Sequence, residues 1–261
     1  MKYNTINLRK KADEIKEKTI EMILNAKSGH LASSLSVIDI LISIYYGVKK
    51  DKDIVILSKG HAAPALYSIL IDMKKINEKE FNLLRNINGI LEGHPSLDIS
   101  GVDAPSGSLG TGFAFGVGRA MGKKIKNEKG FVYVIVGDGE LQEGICWELL
   151  AISFHRRLDN LILIVDRNGL QLSGTTEKIL YLEPLEEKLK SFGFYVENVD
   201  GHNIKEIVSS LERCKSIEGF PKIIIADTIK GKGVLGMEWK VKGHSMKIKE
   251  IEEIIKKEWE E

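Results

Sequence analysis

An aspartate between two glycines ends an apolar run in the segment VIVGDGELQEG, and an asparagine, Asn168, follows the next apolar run, LILIVD. A carboxylate and an amide oxygen are ligands that Mg²⁺ prefers, together with water or phosphate oxygens. If the two runs are neighbouring parallel strands, their carboxyl ends bring Asp138 and Asn168 to one edge of the sheet. The alternative is a pair of ordinary strand-to-helix turns. The combination favours a site for a divalent cation.

The residues after Asp138 are suited to a phosphate group. Gly139 has no side chain, so its backbone can approach a ligand closely. We expect a helix from Leu141, whose first N–H groups and positive dipole end would attract an anion. The segment therefore predicts a phosphate site beside the cation site.

Five of the six histidines directly follow a glycine, which suits loop positions better than helix interiors. Imidazole groups donate hydrogen bonds to phosphate or sugar oxygens and transfer protons near neutral pH. Each one taken alone is more simply a surface or core histidine, but together they favour one polar pocket. The five are His30, His61, His94, His202 and His244.

The amino-acid composition argues against several classes of protein. The chain has 261 residues and a formal net charge of +1, which argues against a dedicated nucleic-acid-binding protein. Cys146 and Cys214 have no metal-ligand spacing and fit a reducing cytosol. The charged N-terminus does not resemble a signal peptide, and no apolar run of about 18 residues is present. We therefore expect a cytoplasmic protein that does not span a membrane.

The chemistry-bearing residues lie between alternating strand and helix patterns. Continuous apolar runs predict buried parallel strands at 53–58, 131–136, 161–166 and 222–227, with a fifth near a sheet edge at 194–199. Helical patterns occupy 6–25, 34–47, 62–73, 110–122, 141–156, 204–215 and 246–259. This alternation predicts a single α/β domain over residues 1–261, with a doubly wound, mostly parallel sheet and helices on both faces. The long glycine-rich segment 88–112 is interpreted as a binding loop.

Six motifs, in order along residues 10–245, resemble the transketolase family of thiamine diphosphate enzymes. They are LSKGHAAPALYSIL, GHPSLD, SGSLGTG, GDGELQEG, NLILIVDRNGLQLSGTTE and KGKGV. The resemblance implies the thiamine-diphosphate-binding fold and a transferase activity. That activity would pass a two-carbon ketol unit from a ketose phosphate to an aldose phosphate. The implied cofactors are thiamine diphosphate and Mg²⁺, with Ca²⁺ or Mn²⁺ as alternative metals.

Matching positions imply individual roles. The metal ligands would be Asp138, Asn168 and the backbone carbonyl of Leu170. The diphosphate and the rest of the cofactor would be contacted by His61, Gly107, Leu109, Gly137, Gly139, Glu143 and His244, with Glu143 matching the family's subunit-interface network. His30, His94 and His61 would act at the reacting sugar. His202 matches a turn that we interpret as structural.

The resemblance ends with the family's pyrophosphate-binding domain. The chain is similar to the N-terminal subunit of a split transketolase, whose pyrimidine-binding and C-terminal domains come from a separate polypeptide. This similarity implies an α₂β₂ assembly and no activity of the single chain. The alternatives are a subunit of another thiamine diphosphate enzyme, such as a 2-oxo acid decarboxylase or dehydrogenase, and a non-catalytic interaction module. Two departures from the family pattern are Arg167, where full-length members often have an acid, and the Gly-His order at His244.

Overall fold

The computed structural model describes residues 5–241 and 246–260. Within this part, five parallel strands form one sheet in the order β1-β2-β3-β5-β4. The strands are β1 Ile54–Leu57, β2 Val132–Gly137, β3 Leu161–Arg167, β4 Tyr195–Asp200 and β5 Lys222–Asp227. The five predicted strands are confirmed, including the edge position of the run at 194–199.

Helices cover both faces of the sheet, which explains why the strands are continuously apolar. Along β2, Val134 packs into one core and Ile135 into the other. One core contains residues of α1, α2, α3, α8 and α9, and the opposite core contains residues of α4, α5 and α7. The helices are α1 Thr5–Ala26, α2 Leu31–Ile42, α3 Ala63–Asp72, α4 Thr111–Ile125, α5 Gly144–His155, α6 Thr176–Ile179, α7 Leu185–Ser191, α8 Ile204–Ser216 and α9 Ile248–Glu260.

The strand order places a topological switch point between β3 and β5. The chain leaves β3 toward α7 on one face and enters β5 from α8 on the other face. Ligands of open α/β sheets bind at the carboxyl ends of strands beside such a point. The pairing of β2 with β3, with Gly137 opposite Asp166, also confirms that the strands preceding Asp138 and Asn168 are neighbours.

Two helix boundaries differ from the expected ones at places that matter for the site. The helix expected from Leu141 begins only at Gly144, because Gly139–Gln142 forms a separate 3₁₀ turn, whose first N–H group donates to the Asp138 carboxylate. The helix expected from residue 34 begins at Leu31, directly after His30. The first shift leaves Glu143 directly before α5 instead of inside the predicted helix, and the second puts His30 directly before the first residue of α2.

The expectation that the sequence contains no apolar run of about 18 residues is wrong for one helical stretch, which is apolar and long enough by composition to cross a membrane. It runs from Leu31 to Val48, where α2 continues as the π-helix Ser43–Val48, with a mean hydropathy of 1.7. Other elements bury 94% of this stretch, so it has the character of a core helix.

Candidate active site

A cavity of about 520 Å³ opens at the carboxyl edge of the sheet, and ten of the predicted site residues line it. They are His30, His61, His94, Leu109, Gly137, Asp138, Gly139, Glu143, Asn168 and Leu170. The loops after β1, β2, β3 and β5 each contribute at least one lining residue. The structure therefore brings together segments that are up to 200 residues apart in the chain, from His30 to Lys230.

Asp138 is buried and held on both carboxylate oxygens. Its Oδ1 accepts the N–H of Gly139 at 2.7 Å, and its Oδ2 accepts the N–H of Gly169 at 2.6 Å. The guanidinium of Arg167 lies 3.1 Å from Oδ2. Burial and the neighbouring Asp166 raise the pKa of Asp138, and Arg167 opposes that rise. These contacts fix the carboxylate in one orientation.

Asn168 and Leu170 present the other predicted metal-binding oxygens. The side-chain Oδ1 of Asn168 accepts the N–H of Leu170 at 3.1 Å, which closes a tight turn after β3. The carbonyl of Leu170 accepts a hydrogen bond from the ammonium of Lys230 at 3.1 Å. A carbonyl or amide oxygen has two lone pairs, so each atom keeps capacity for a second partner.

A buried ion pair lies beneath this oxygen set. Lys59 and Asp166 have side-chain exposures of 1% and 0%, and the Lys59 ammonium contacts Asp166 Oδ2. Ser36 and Thr228 also donate to the Asp166 carboxylate. Burial opposes ionisation of Asp166, but Lys59 and these donors hold its pKa below the ordinary value. The pair connects the loop after β1 to the end of β3.

Glu140 organises three loops around the cavity, although its sequence context predicts no role for it. Its Oε1 accepts the hydroxyl of Ser58 at 2.5 Å and the N–H of Gly110 at 2.8 Å. Its Oε2 accepts the N–H of Gly137 at 3.2 Å. Burial raises the pKa of Glu140, which is 2% exposed. Glu140 therefore positions the Gly-His loop, the glycine-rich loop and the Gly-Asp-Gly turn relative to one another.

Lys59 and Lys230 are also absent from the predicted site, although the sequence holds a usable signal for both. Lys59 follows the end of β1 by two positions and Lys230 follows the end of β5 by three. Asp138 and Asn168 are selected because they follow the ends of β2 and β3. The same criterion applied to β1 and β5 also selects these lysines. Burial and the neighbouring Lys59 lower the pKa of Lys230 to about 8.

Three of the five glycine-preceded histidines meet in the cavity. The rings of His30 and His61 form an edge-on pair with centroids 5.4 Å apart. Burial lowers the pKa of His30, and the charges of Arg85, His94 and Lys230 lower it further. Burial and Arg85 lower the pKa of His94. The imidazoles of His30 and His94 are therefore mainly neutral at pH 7 and can both donate and accept hydrogen bonds.

One of the preceding glycines is required by a close contact. At Gly93 a Cβ atom would meet only the far end of the flexible Arg85 side chain, whereas at Gly60 it would also meet the backbone carbonyl oxygen of Ser106 at 3.0 Å. A Cβ atom at Gly60 would stand 2.6 Å from the hydroxyl of Ser106. The loop that carries His61 thereby packs against the glycine-rich loop that carries Leu109.

The remaining predicted residues lie at or beyond the edge of this group. Glu143 is exposed at the cavity and precedes α5. Gly107 is not among the lining residues, but its missing Cβ would point to His94 at 4.0 Å. His244 lies outside the described residues. His202 pairs with Asp39 at 2.8 Å and accepts the N–H of Ile229, which agrees with a structural role.

The cavity residues fit a divalent cation and a diphosphate. The donor set of Asp138, Asn168 and Leu170 consists of oxygen atoms, which hard cations prefer. Gly139 lines the cavity, and a Cβ atom there would stand 2.9 Å from Oε1 of Gln171. That Gln171 atom is buried and has no hydrogen-bond partner within the described part of the chain, so it is an acceptor oxygen left for a cation or for a group that donates a hydrogen bond.

Comparison with known proteins identifies the family to which the chain belongs. Residues 8–260 match the family described as "Transketolase, thiamine diphosphate binding domain". The chain is 37% identical to the 6-deoxy-6-sulfo-D-fructose transketolase subunit SqwG of Clostridium sp. (strain MSTE9), covering 96% of this chain and 94% of that protein. It is also 37% identical to an apulose-4-phosphate transketolase subunit of Actinobacillus succinogenes, covering 91% of this chain and 90% of that protein.

A solved transketolase structure has the same fold as this chain. Transketolase from Campylobacter jejuni superimposes with a TM-score of 0.90 at 32% sequence identity, over 98% of this chain. This chain spans 42% of that transketolase chain. The protein belongs to the transketolase family and corresponds to its N-terminal, thiamine diphosphate-binding portion.

Proposed function

We propose that this chain is the cofactor- and metal-binding subunit of a two-part transketolase, with residues 1–261 as its single pyrophosphate-binding domain. The observation that carries the proposal is the cavity itself, which joins the oxygen donors at the ends of β2 and β3 to three histidines. Asp138, Asn168 and the Leu170 carbonyl would hold Mg²⁺, or Ca²⁺ or Mn²⁺ in its place. Gly137, Gly139 and His61 would contact the diphosphate.

The chain's own contribution to the reaction is positioning and proton transfer. Thiamine diphosphate, when bound, supplies the carbon nucleophile and the electron sink for two-carbon transfer. His30 and His94, kept neutral by burial and by Arg85, are suited to hold or move protons at the sugar hydroxyls. Leu109 and Gly107 would support the aminopyrimidine side, His244 would contact the cofactor, and Glu143 would belong to the interface with the partner.

A second polypeptide completes this proposal. The two 37%-identical relatives are named as transketolase subunits, and this chain spans most of each. We propose that the pyrimidine-binding and C-terminal domains belong to a partner chain in a cytoplasmic α₂β₂ assembly. The substrates proposed are a ketose phosphate donor and an aldose phosphate acceptor; sulfonated ketoses are an alternative donor class, as in the name of one relative.

The test is reconstitution of the transfer reaction. The purified chain is mixed with the C-terminal transketolase subunit from the same organism, thiamine diphosphate and Mg²⁺, and release of aldose from a ketose phosphate is measured. We expect transfer only with both subunits, and a loss of about 10²–10⁴-fold in rate for His94→Ala. Full transfer by the single chain would contradict the two-part assembly. Decarboxylation of a 2-oxo acid without ketol transfer would favour the other class of thiamine diphosphate enzyme.

A further inference from the structure

A second cavity, of about 600 Å³, adjoins the candidate active site. The two cavities share the lining residues His30 and Leu172, so a molecule bound at the histidines can extend from the first cavity into the second. Of the ten described residues that line the second cavity, four are cationic and none is an Asp or a Glu. The four are Lys27, Arg85, Lys247 and Lys249.

The charges of these four cations are not neutralised by the described part of the chain. None of the four lies within ion-pair distance of a carboxylate of a described side chain. All four residues are exposed, so a dissolved molecule can reach them. A concave surface lined by charges of one sign concentrates its field and attracts ligands of the opposite sign. The second cavity therefore favours an anion.

Arg85 lies between the two histidines that are proposed to act at the sugar. Its Nη1 donates to Ser28 Oγ at 3.0 Å, two residues before His30. Its Nη2 lies beside Gly93, the residue before His94, since a Cβ atom there would stand 2.5 Å away. The hydrogen bond to Ser28 uses one of the five N–H groups of the guanidinium, which leaves donors for a bound oxyanion.

A sugar with a phosphate or a sulfonate at one end of its chain fits this arrangement. Its reacting end would lie at the histidines, and its charged end would extend past His30 into the second cavity. We propose that Arg85, with Lys27, Lys247 and Lys249, forms an oxyanion subsite that selects ketoses with a terminal phosphate or sulfonate over neutral ketoses. A guanidinium pairs with either group through two parallel N–H donors. The inference rests on the proposed function and assigns part of the substrate specificity to this chain.

The reconstituted two-subunit enzyme, with thiamine diphosphate and Mg²⁺, tests the subsite. The kcat/KM values are measured for fructose 6-phosphate, for fructose sulfonated at carbon 6 and for neutral fructose. We expect Arg85→Met to lower the ratio of the anionic to the neutral value at least about tenfold, the low end for the loss of a hydrogen bond to a charged group. The ratio removes any effect of Arg85 on the histidines, because all three ketoses share it.

Two control variants sharpen this measurement. Lys10→Met, which removes an exposed lysine of α1 that lines neither cavity, should keep the parent ratios. Arg85→Lys keeps the charge but not the paired donors, so its ratios should lie between those of the parent and Arg85→Met. A lower ratio for only one of the two anionic ketoses supports the subsite and identifies the anion that it holds. Parent ratios for both ketoses in Arg85→Met would overturn the inference.

Binding of inorganic phosphate tests the subsite without turnover. Absence of ketol transfer by the reconstituted parent enzyme would overturn the proposed function, and phosphate binding would then decide on the subsite. Phosphate is titrated into the full-length chain, saturated with thiamine diphosphate and Mg²⁺, and its ³¹P signal is followed by NMR. We expect at least about tenfold weaker binding in Arg85→Met and in the double variant Lys247→Met, Lys249→Met, but not in Lys10→Met. Equal affinity in all four chains would overturn the subsite.

Discussion

Replacing Lys59 by methionine tests how the base of the cavity is held together. The substitution keeps most of the length of the side chain but leaves the Asp166 carboxylate, which has no solvent exposure, without its ammonium partner. Breaking a buried pair from one side costs about 3–5 kcal/mol of the free energy of unfolding. Ser36 and Thr228 still donate to Asp166, so we expect the lower end, about 3 kcal/mol. A domain of ordinary stability has about 5–15 kcal/mol in total.

The pH dependence of this loss has a definite sign. In the parent chain the folded-state pKa of Asp166 is depressed, so the pair stabilises the fold above the unfolded-state pKa of about 3.9 and is lost only as the pH falls through the lower folded value. In Lys59→Met the buried carboxyl has lost its main charge partner and its pKa rises. The destabilisation should therefore be largest near pH 7 and shrink toward about pH 5, as the carboxyl becomes protonated in the folded state.

Urea unfolding of the two chains at both pH values measures the effect. Lys190→Met is the matched control, because Lys190 pairs with Glu186 on the exposed face of α7 and its loss should leave the midpoint nearly unchanged. A loss below about 1 kcal/mol at pH 7, or one that grows as the pH falls, would show that the Lys59–Asp166 pair does not stabilise the base of the cavity.

Three further predictions concern single residues. Arg85→Met should raise the pKa of both His30 and His94 by removing a nearby positive charge, as measured by NMR titration, whereas the exposed Arg119→Met should leave both unchanged. Gly116→Ala should destabilise the fold by about 1–3 kcal/mol, because the new Cβ would stand 2.3 Å from Val134 Cγ2. Gly118→Ala, with nothing within 4 Å, should stabilise the same helix by about 1 kcal/mol in thermal or urea unfolding, and equal effects of the two would contradict the packing argument. Glu140→Ala should lower the free energy of unfolding by about 3–5 kcal/mol, because it leaves three buried donors without their acceptor, whereas the exposed Glu148→Ala should not.

The sheet can be predicted from the sequence because burial on both faces leaves a continuous apolar run in each strand. The same reasoning locates Asp138 and Asn168 at the ends of two strands. These residues lie close together because the two strands are neighbours in the sheet. The order β3-β5-β4 and the switch point it creates are tertiary facts with no local signal. For that reason the sequence does not connect Lys230, which reaches the cavity from β5, to Leu170.

The hydrogen bonds of Glu140 cannot be predicted from the sequence, for a different reason. Its partners Ser58, Gly110 and Gly137 come from three separate loops, and two of the three contacts use backbone N–H groups that no residue type reveals. The 3₁₀ turn at Gly139–Gln142 looks like the start of a helix in the sequence because the residues after it continue a helical pattern. Only the structure shows that the Gly139 N–H of this turn donates to the Asp138 carboxylate and that α5 begins at Gly144.

The proposed function requires that the cofactor's diphosphate and a divalent cation bind at the ends of β2 and β3. The most direct test is a calorimetric titration of the full-length chain with thiamine diphosphate, in Mg²⁺ and again in excess chelator, for the parent and for Asp138→Asn. We expect binding in Mg²⁺ that weakens at least about tenfold in chelator and to a similar extent in the variant. Binding of equal strength in all four titrations would mean that the diphosphate does not bind at Asp138.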